Sequence, residues 1–530
     1  MASAPIQSSL ERGIDVGTAP FLPGQITTIC AITITAIIAS SWLASWNRSK
    51  NRFPIANPPG SFQSGHSKRM EFMRNGMCIL SKSRELFKGK PFRLLTELDE
   101  IIVLPQQYAN LIRNETSLSF SAAIARDFNA HLPGFEPFGI LQDERQHIQT
   151  VARKQLTKYL NTVTKPLSSE ATFATHHIFG ESSEWQEVVL KDVILDLIAR
   201  LSSRVFLGEK LCRNEAWLKI TKQYTVDSFK AVAILTAFPS FLRRIVSWFL
   251  PACKTVRDEL EQARKVIKPI LEERGRIKAQ ARADGKPIPS FNDAIDWAEA
   301  ESQGQPYDDA IFQLVLSFAA IHTTTDLLSH TLVLLSDKPE YIEALRAEMI
   351  EVLTVSGWKK SSLYNLRLLD STLKEAQRIK PTGMLPMRRL AINDVTLENG
   401  VRIHKGERCA VDGYAFSDPT LYENPGEYDI YRFLRMREQP GMENKAQLVA
   451  TGDHHLAFGH GMHACPGRFF AANEIKLALC HLLLKYDWKL APGSTVNPIV
   501  FATAQSINPA TRVLYRRRKE EIDLKDLSFD

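Results

Sequence analysis

Residues 458–467 read FGHGMHACPG, with DHH just upstream at 453–455, which puts His454, His455, His460, His463 and Cys465 in one short segment. Imidazole and thiolate are the usual ligands of zinc, so a zinc staple is the first reading, with a haem pocket and a plain polar loop as the others. A closed zinc site needs four ligands, commonly two pairs at short spacing. His460, His463 and Cys465 supply one cluster, but the neighbouring Cys480-His481 pair lies inside an apolar helical run. Haem iron asks for less, namely one thiolate on a rigid loop in a dry pocket. Cys465 is followed by Pro466, Gly467 and Arg468 and then FFAANEIKLALCHLLL, which places it at the mouth of a helix, where free backbone N–H groups favour a thiolate. Gly459, Gly461 and Gly467 let the backbone fold around the sulfur, with Phe458 packed beside it. A lone cysteine is usually a buried structural residue, and this setting departs from that default.

Size and composition narrow the field. The chain has 530 residues, 44% hydrophobic and 24% charged, the balance of an ordinary globular protein with a large core. Its net charge of +7 is a mild excess that suits an anionic membrane or an acidic protein partner. No basic run with interleaved aromatics supports nucleic-acid binding. The seven cysteines, at 30, 78, 212, 253, 409, 465 and 480, are scattered, odd in number and without CxxC spacing. That argues against a disulfide framework and for a reducing, cytosol-facing setting.

The amino terminus points to a membrane. Between Asp15 and Arg48 no residue is charged, and residues 26–46 read ITTICAITITAIIASSWLASW. As a helix rising about 1.5 Å per residue, this run spans about 31 Å, close to a bilayer core. A cleaved signal peptide would open with positive charge and carry a shorter apolar core, whereas Glu11, Arg12 and Asp15 precede this one. Arg48, Lys50 and Arg52 follow it, so the positive-inside rule leaves the body in the cytosol. The expected order is a lumenal tail at 1–25, an anchor at 26–46, a basic, proline-rich hinge at 47–60 and a body at 61–530.

Within the body, residues 139–350 repeat apolar positions at helical spacing. Residues 307–336 are apolar on most faces, with polar residues bunched at 322–326, as in a helix buried all round and interrupted where something polar is met. After Leu390 come short β-prone runs, with Asn399-Gly400 as a hairpin signal, and then an irregular stretch at 412–441. Helical spacing resumes at 474–486, and 498–516 reads as a closing hairpin.

Phe458, Gly461, His463, Cys465 and Gly467 together resemble the haem-binding signature FxxGxRxCxG of the cytochrome P-450 family, with His463 where arginine is usual. Three further segments follow the family's order. Glu375-Ala376-Gln377-Arg378 resembles its ExxR motif, although a Glu and Arg three apart on a helix are by default a surface pair. YDIYRF at 428–433 is similar to its FxPxRF meander, with Ile430 in place of proline and so a looser turn, and with Arg432 retained. AAIHTTT at 319–325 looks like its oxygen-binding AGxDTT, with Ala320 for glycine and His322 for the acid. The resemblance runs over roughly 58–518 and is strongest to fungal enzymes of specialised metabolism such as ent-kaurene oxidase and the indole-diterpene oxidases.

The resemblance implies a mainly α P-450 fold with a small β subdomain, a single N-terminal transmembrane helix, and haem b (iron protoporphyrin IX) with Cys465 as axial ligand. It assigns oxygen binding and proton guidance to Thr323 or Thr324, with His322 either a proton relay or a residue that points into the helix bundle and only forms a hydrogen bond. Arg389 and His463 fall where the propionates are held, and His147 and Arg153 where a third contact comes from. Glu375, Arg378 and Arg432 form the bracing network; Ala319, Ala320, Met384 and Leu385 border the substrate, with the turn at 502–507. No flavin or nicotinamide motif is visible, so electrons come from NADPH through a separate FAD/FMN reductase, with cytochrome b5 as a second donor. The implied protein is a single-pass endoplasmic reticulum monooxygenase acting on a bulky lipophile, a terpenoid or indole-diterpene intermediate. The rival readings are desaturation or oxidative rearrangement on the same fold, oxidation of a polyketide, a haem sensor or carrier, and a zinc-stapled membrane adaptor.

Overall fold

The structure, a computed structural model, describes residues 53–60, 63 and 65–529. The expected tail, the anchor and the hinge up to residue 52 lie outside the described residues. The body from Phe53 onward forms its own compact unit.

At the centre stands the helix Asp309–Ser336, started by Asp308, whose carboxylate accepts from the backbone N–H groups of Ala310 and Ile311. Among the described residues it is the one helix long and apolar enough to cross a membrane, yet most of its surface is covered by protein. Helices Leu160–Phe179, Leu190–Leu207, Glu215–Leu235 and Pro251–Ala283 build the bundle around it, in one continuous apolar core. Leu190–Leu207 shows how the sequence dictates this. Ile194, Leu197, Ile198, Leu201 and Val205 recur at helical spacing and are all buried, and the helix stops at Gly208, whose φ of +80° a side chain resists. Each such Leu, Ile or Val contributes about 1.5–3 kcal/mol on burial.

A second apolar cluster lies under a five-stranded sheet, in spatial order Phe92–Leu95, Glu100–Leu104, Arg408–Val411, Arg389–Ala391, Leu118–Ser119. Only Glu100–Leu104 and Arg408–Val411 run parallel, and the register sets Arg389 opposite Cys409. The hinge does not end free of the body. Ile55 bridges to Arg93, and Asn57 exchanges hydrogen bonds with the backbone of Leu95, so the proline-rich stretch docks on the sheet edge.

The closing hairpin is shorter than its sequence pattern indicates. Ile499–Phe501 pairs with Ala504–Ser506, but Arg512–Arg517 leaves it to sit between Gln186–Val189 and Tyr486–Leu490 in a separate three-stranded sheet. Tyr515, Tyr486 and Trp488 are buried there against Phe179, an aromatic attraction that outweighs local pairing. The Asn399-Gly400 turn does form, with Gly400 at φ +80° between Val395–Thr396 and Arg402–Ile403.

Candidate active site

The cysteine loop is held by its own backbone. Cys465 N–H donates to the carbonyl of Phe458 at 2.8 Å, and Gly459 N–H to that of Leu456 at 2.9 Å. Gly459 and Gly461 sit at φ +68° and +74°. A Cβ on Gly461 would lie 2.3 Å from the Arg113 carbonyl oxygen, so only glycine fits where this loop touches the short helix Ala109–Ile112 and its following residues. The exit helix Arg468–Lys485 begins right after Gly467. Arg468 folds back to donate to the carbonyls of Cys465 and Val449.

Cys465 is half-buried, in a recess deep enough that burial pushes its thiol up. The N–H groups of Gly467 and Arg468 and the Arg468 guanidinium pull it down without overcoming that. The helix mouth thus favours the thiolate, as the sequence indicates, while burial opposes it.

The four histidines of the segment go to four separate partners. His454 meets the Gln106 side chain at 2.7 Å, His455 meets Gln377 at 3.2 Å and His460 meets Asn110 at 3.1 Å, while His463 lies against Phe120. Among the described residues no three His, Cys, Asp or Glu side chains converge as a metal site, which removes the zinc staple.

Arg389 and His463 hold what the chain leaves unused. Arg389 is 2% exposed, and of its guanidinium only Nη1 has a partner, the carbonyl of Arg388; Nε and Nη2 are buried without one. His463 Nε2 is likewise buried and unpartnered. Phe120 links the two, lying under the Arg389 guanidinium and beside the His463 ring. Burial lowers Arg389 to about 10, and burial with the Arg389 charge lowers His463 to about 4. Unpaired buried polar groups are expensive: the Arg389 guanidinium lacks an anionic partner, and His463 Nε2 donates to one only once the ring is protonated, which an adjacent carboxylate favours. A flat apolar macrocycle with two carboxylates supplies an anionic edge, so these residues fit haem b.

His147 and Arg153 stand apart from that cluster. His147 Nε2 bonds the Ala298 carbonyl, with the ring between Tyr307 and Phe312, and exposed Arg153 donates to Gln146. Residues 151–156, which include Arg153, wind as a π-helix.

The Glu375–Arg378 pair is buried to within 2% exposure, not on the surface. Arg378 grips both carboxylate oxygens at 2.8 and 2.7 Å, and Arg432 adds a third bond at 2.9 Å. The remaining guanidinium hydrogens reach the carbonyls of Phe416, Pro425, Glu423 and Asn424. The turn at Ile430 is not loose without its proline: the Asp429 carboxylate accepts from Tyr431 N–H at 3.0 Å and Ile430 is fully buried.

On the central helix, Ala319 and Thr323 are the exposed positions, one turn apart, and thus form an open face in an otherwise covered helix. Thr323 donates its hydroxyl to the Ala319 carbonyl at 2.7 Å, while Thr324 is buried. His322 turns the other way: its Nε2–H donates to the carbonyl of Lys222 at 3.0 Å, and burial lowers its pKa. Its ring is a neutral tether to helix Glu215–Leu235, which takes that nitrogen out of a relay. Ala320 is half-buried, and Met384 and Leu385 are buried beside the 499–506 hairpin. Sequence reading missed the aromatic group flanking the open face, where Phe318 meets Phe128, Phe138 and Phe229 at 5.6, 4.9 and 6.0 Å. Phe318 adjoins Ala319 and could have been found, whereas nothing in the sequence pairs it with the other three.

With the geometry in hand, comparison is direct. A family model described as cytochrome P-450 matches residues 117–515. The chain belongs to the cytochrome P-450 family. It is 48% identical to cytochrome P-450 monooxygenase hepE of Aspergillus oryzae over 88% of this chain and 86% of that one. It is 42% identical to eqxH of Fusarium heterosporum over 94% and 97%, and 45% identical to monooxygenase 1 of Gibberella fujikuroi over 82% and 99%. Among solved structures, a cyanobacterial P-450 with bound retinoic acid superposes with a TM-score of 0.63 at 19% identity, covering 88% of this chain and 100% of that one, which speaks to fold alone. The protein is therefore a haem-dependent monooxygenase of the fungal type, taking electrons from a reductase partner and acting on a lipophilic substrate.

Proposed function

We propose that Cys465 would hold the iron of haem b through its sulfur, that Arg389 and His463 would bind the propionates, and that Thr323 serves the oxygen side. The observation that carries this is the buried guanidinium and imidazole nitrogens without partners beside a glycine-caged cysteine. Haem b, when held there by a thiolate, would supply the activation of dioxygen. The chain's residues do the rest. Arg389 and His463 fix the edge of the cofactor, Gly459 and Gly461 let the backbone close under it, and Arg468 holds the Cys465 carbonyl. The Thr323 hydroxyl, already ordered by Ala319, passes protons at the open face, and Thr324 is the packing residue of the pair.

The substrate reading is a terpenoid-like lipophile. Ala319 gives the open face a small apolar residue, and its neighbour Phe318 gathers Phe128 and Phe229 into an aromatic group, surface that suits a bulky substrate with few charges. The anchor and endoplasmic reticulum placement rest on residues 26–46 and are supported by helix Ser240–Phe249, which exposes Phe241, Ile245, Trp248 and Phe249 beside Arg243 and Arg244. Cytochrome b5 is proposed as a second electron donor on the strength of that shared membrane.

An absorption spectrum of the reduced, carbon monoxide-treated protein beside Cys465→Ser tests the site. A red-shifted Soret band in the wild type alone supports it, and the same band in both variants, or in neither, overturns it. Labelled dioxygen then separates hydroxylation, whose product carries the label, from desaturation, whose product does not.

A further inference from the structure

The 499–506 hairpin closes one end of the body against the central helix. Its turn, Ala502 and Thr503, is folded inward and buried, while Ile499, Val500 and Phe501 are exposed. Three backbone contacts lash the hairpin to one side of the fold. Ala502 N–H donates to the Met73 carbonyl at 2.8 Å, Met384 N–H to the Thr503 carbonyl at 2.9 Å, and Gln505 N–H to the Thr382 carbonyl at 2.9 Å. The hairpin and residues 382–384 thus move as one wall.

A single side-chain bond ties that wall to the helix bearing Thr323. Ile507 N–H donates to Asp326 Oδ1 at 2.6 Å. Asp326 stands three residues after Thr323, close to one turn, so the tie lies beside the open face. The other Asp326 oxygen is 3.6 Å from His330 Nε2, a ring nitrogen with no hydrogen-bond partner. The side chain is 13% exposed, and among the described residues no lysine or arginine lies within ion-pair distance of it, Lys191 acting on it only from further off. Burying a carboxylate this way costs more than an apolar residue of the same size, so stability alone does not account for its presence.

We infer that Asp326 is a positioning residue that fixes the 382–384 and 502–507 wall relative to Thr323, and so sets which part of a substrate reaches the oxygen side. This rests on the monooxygenase reading of the open face. Because Met73, Thr382 and Met384 hold the hairpin independently, loss of Asp326 shifts the wall rather than unfolding it. The acceptor atom matters, not the charge.

The test compares Asp326→Leu with Asp326→Asn in the full-length, haem-loaded enzyme, since the two side chains share a shape and differ in the acceptor. If the Leu variant does not accumulate, Asp326→Ala takes its place. Hydrogen exchange at the Ile507 amide should quicken about tenfold or more in Leu and stay near wild type in Asn, with the Ala502 amide unchanged in both. Optical titration with imidazole, a small probe, should be unaffected, while 4-phenylimidazole, which must fit against the wall, should change affinity about tenfold in Leu and be restored in Asn. An unchanged Ile507 amide with unchanged affinities in the Leu variant overturns the inference, as does failure of Asn to restore them. Absence of the Soret signature from the wild type overturns the function reading instead, and the exchange arm still reports on the tie.

Discussion

The two sides of the cysteine-bearing fold handle polar groups in opposite ways. Around Glu375, nearly every donor and acceptor is consumed within the chain, with Arg378 and Arg432 spending their guanidinium hydrogens on one carboxylate and on the carbonyls of the meander. Around Arg389, His463 and Thr323, donors are left over or exposed. The difference separates scaffold from site. A buried network complete in itself braces the loop, and a buried network with vacancies of hydrogen bonding marks where something else binds.

The largest expected effect breaks the complete side. Glu375→Ala strands two buried guanidinium groups, and removing one partner of such a pair costs about 3–5 kcal/mol. The expected result is protein that fails to retain haem, read by haem content and urea unfolding of whatever folds. Arg389→Leu, on the incomplete side, should leave urea stability of the haem-free protein within about 1 kcal/mol of wild type, because it removes unpaired donors rather than a satisfied pair. If the two variants lose equal stability, the contrast between the sides is void.

Glu474 sharpens the same contrast through pH. It is fully buried, its one hydrogen bond comes from Ser202 Oγ, and burial raises it to about 8. The folded protein therefore keeps this proton up to about pH 8, while the unfolded chain releases it near the ordinary 4.5. The contribution is fully present below pH 4.5 and is lost as pH climbs through 8, so stability falls across that window. Glu474→Gln should flatten that slope and gain of the order of 4 kcal/mol over wild type by pH 9, measured by urea midpoints at several pH values.

Gly461→Ala is a smaller, local break. Positive φ and the approach of the Arg113 carbonyl together should cost about 1–3 kcal/mol, seen as a lower thermal midpoint with haem lost first.

How much of this the sequence carried follows the same division. Phe458, Gly461, Cys465 and Gly467 lie within one decapeptide, and Glu375 with Arg378 within one helical turn, so the resemblance to short family motifs displayed them, although by spacing alone the Glu375–Arg378 pair read as a surface one. The long helix 309–336 was legible because a segment apolar on nearly every face has few places to go but a core. What stayed hidden depends on contacts between distant segments. Whether His322 relays a proton or turns into the bundle stayed open by position, because its direction is set by Lys222 a hundred residues earlier. Arg512–Arg517 read as a hairpin arm because the sheet it joins is built from residues 186–189 and 486–490. The partners of His147 and Arg153, the Ala298 carbonyl and the Gln146 side chain, and the π-helical winding at 151–156 were announced by no residue pattern.

His322 offers the smallest effect and the finest test of the contrast. The family pattern puts an acid here, and an imidazole in that slot invites a proton-carrying role, yet its Nε2–H is committed to the Lys222 carbonyl and burial keeps the ring neutral. A neutral tether contributes about 1 kcal/mol, the value of one ordinary hydrogen bond. His322→Gln, which can still donate to that carbonyl, should therefore match wild type in stability and in the fraction of NADPH electrons reaching product. His322→Phe should lose about 1 kcal/mol and loosen helix Glu215–Leu235, read as faster amide exchange there, with electron coupling intact. Thr323→Val should do the reverse, leaving stability nearly unchanged while electrons leak to peroxide, because its hydroxyl is on the open face. Should His322→Gln leak as Thr323→Val does, the imidazole belongs to the site after all, and the line between brace and site has to be redrawn through the middle of this helix.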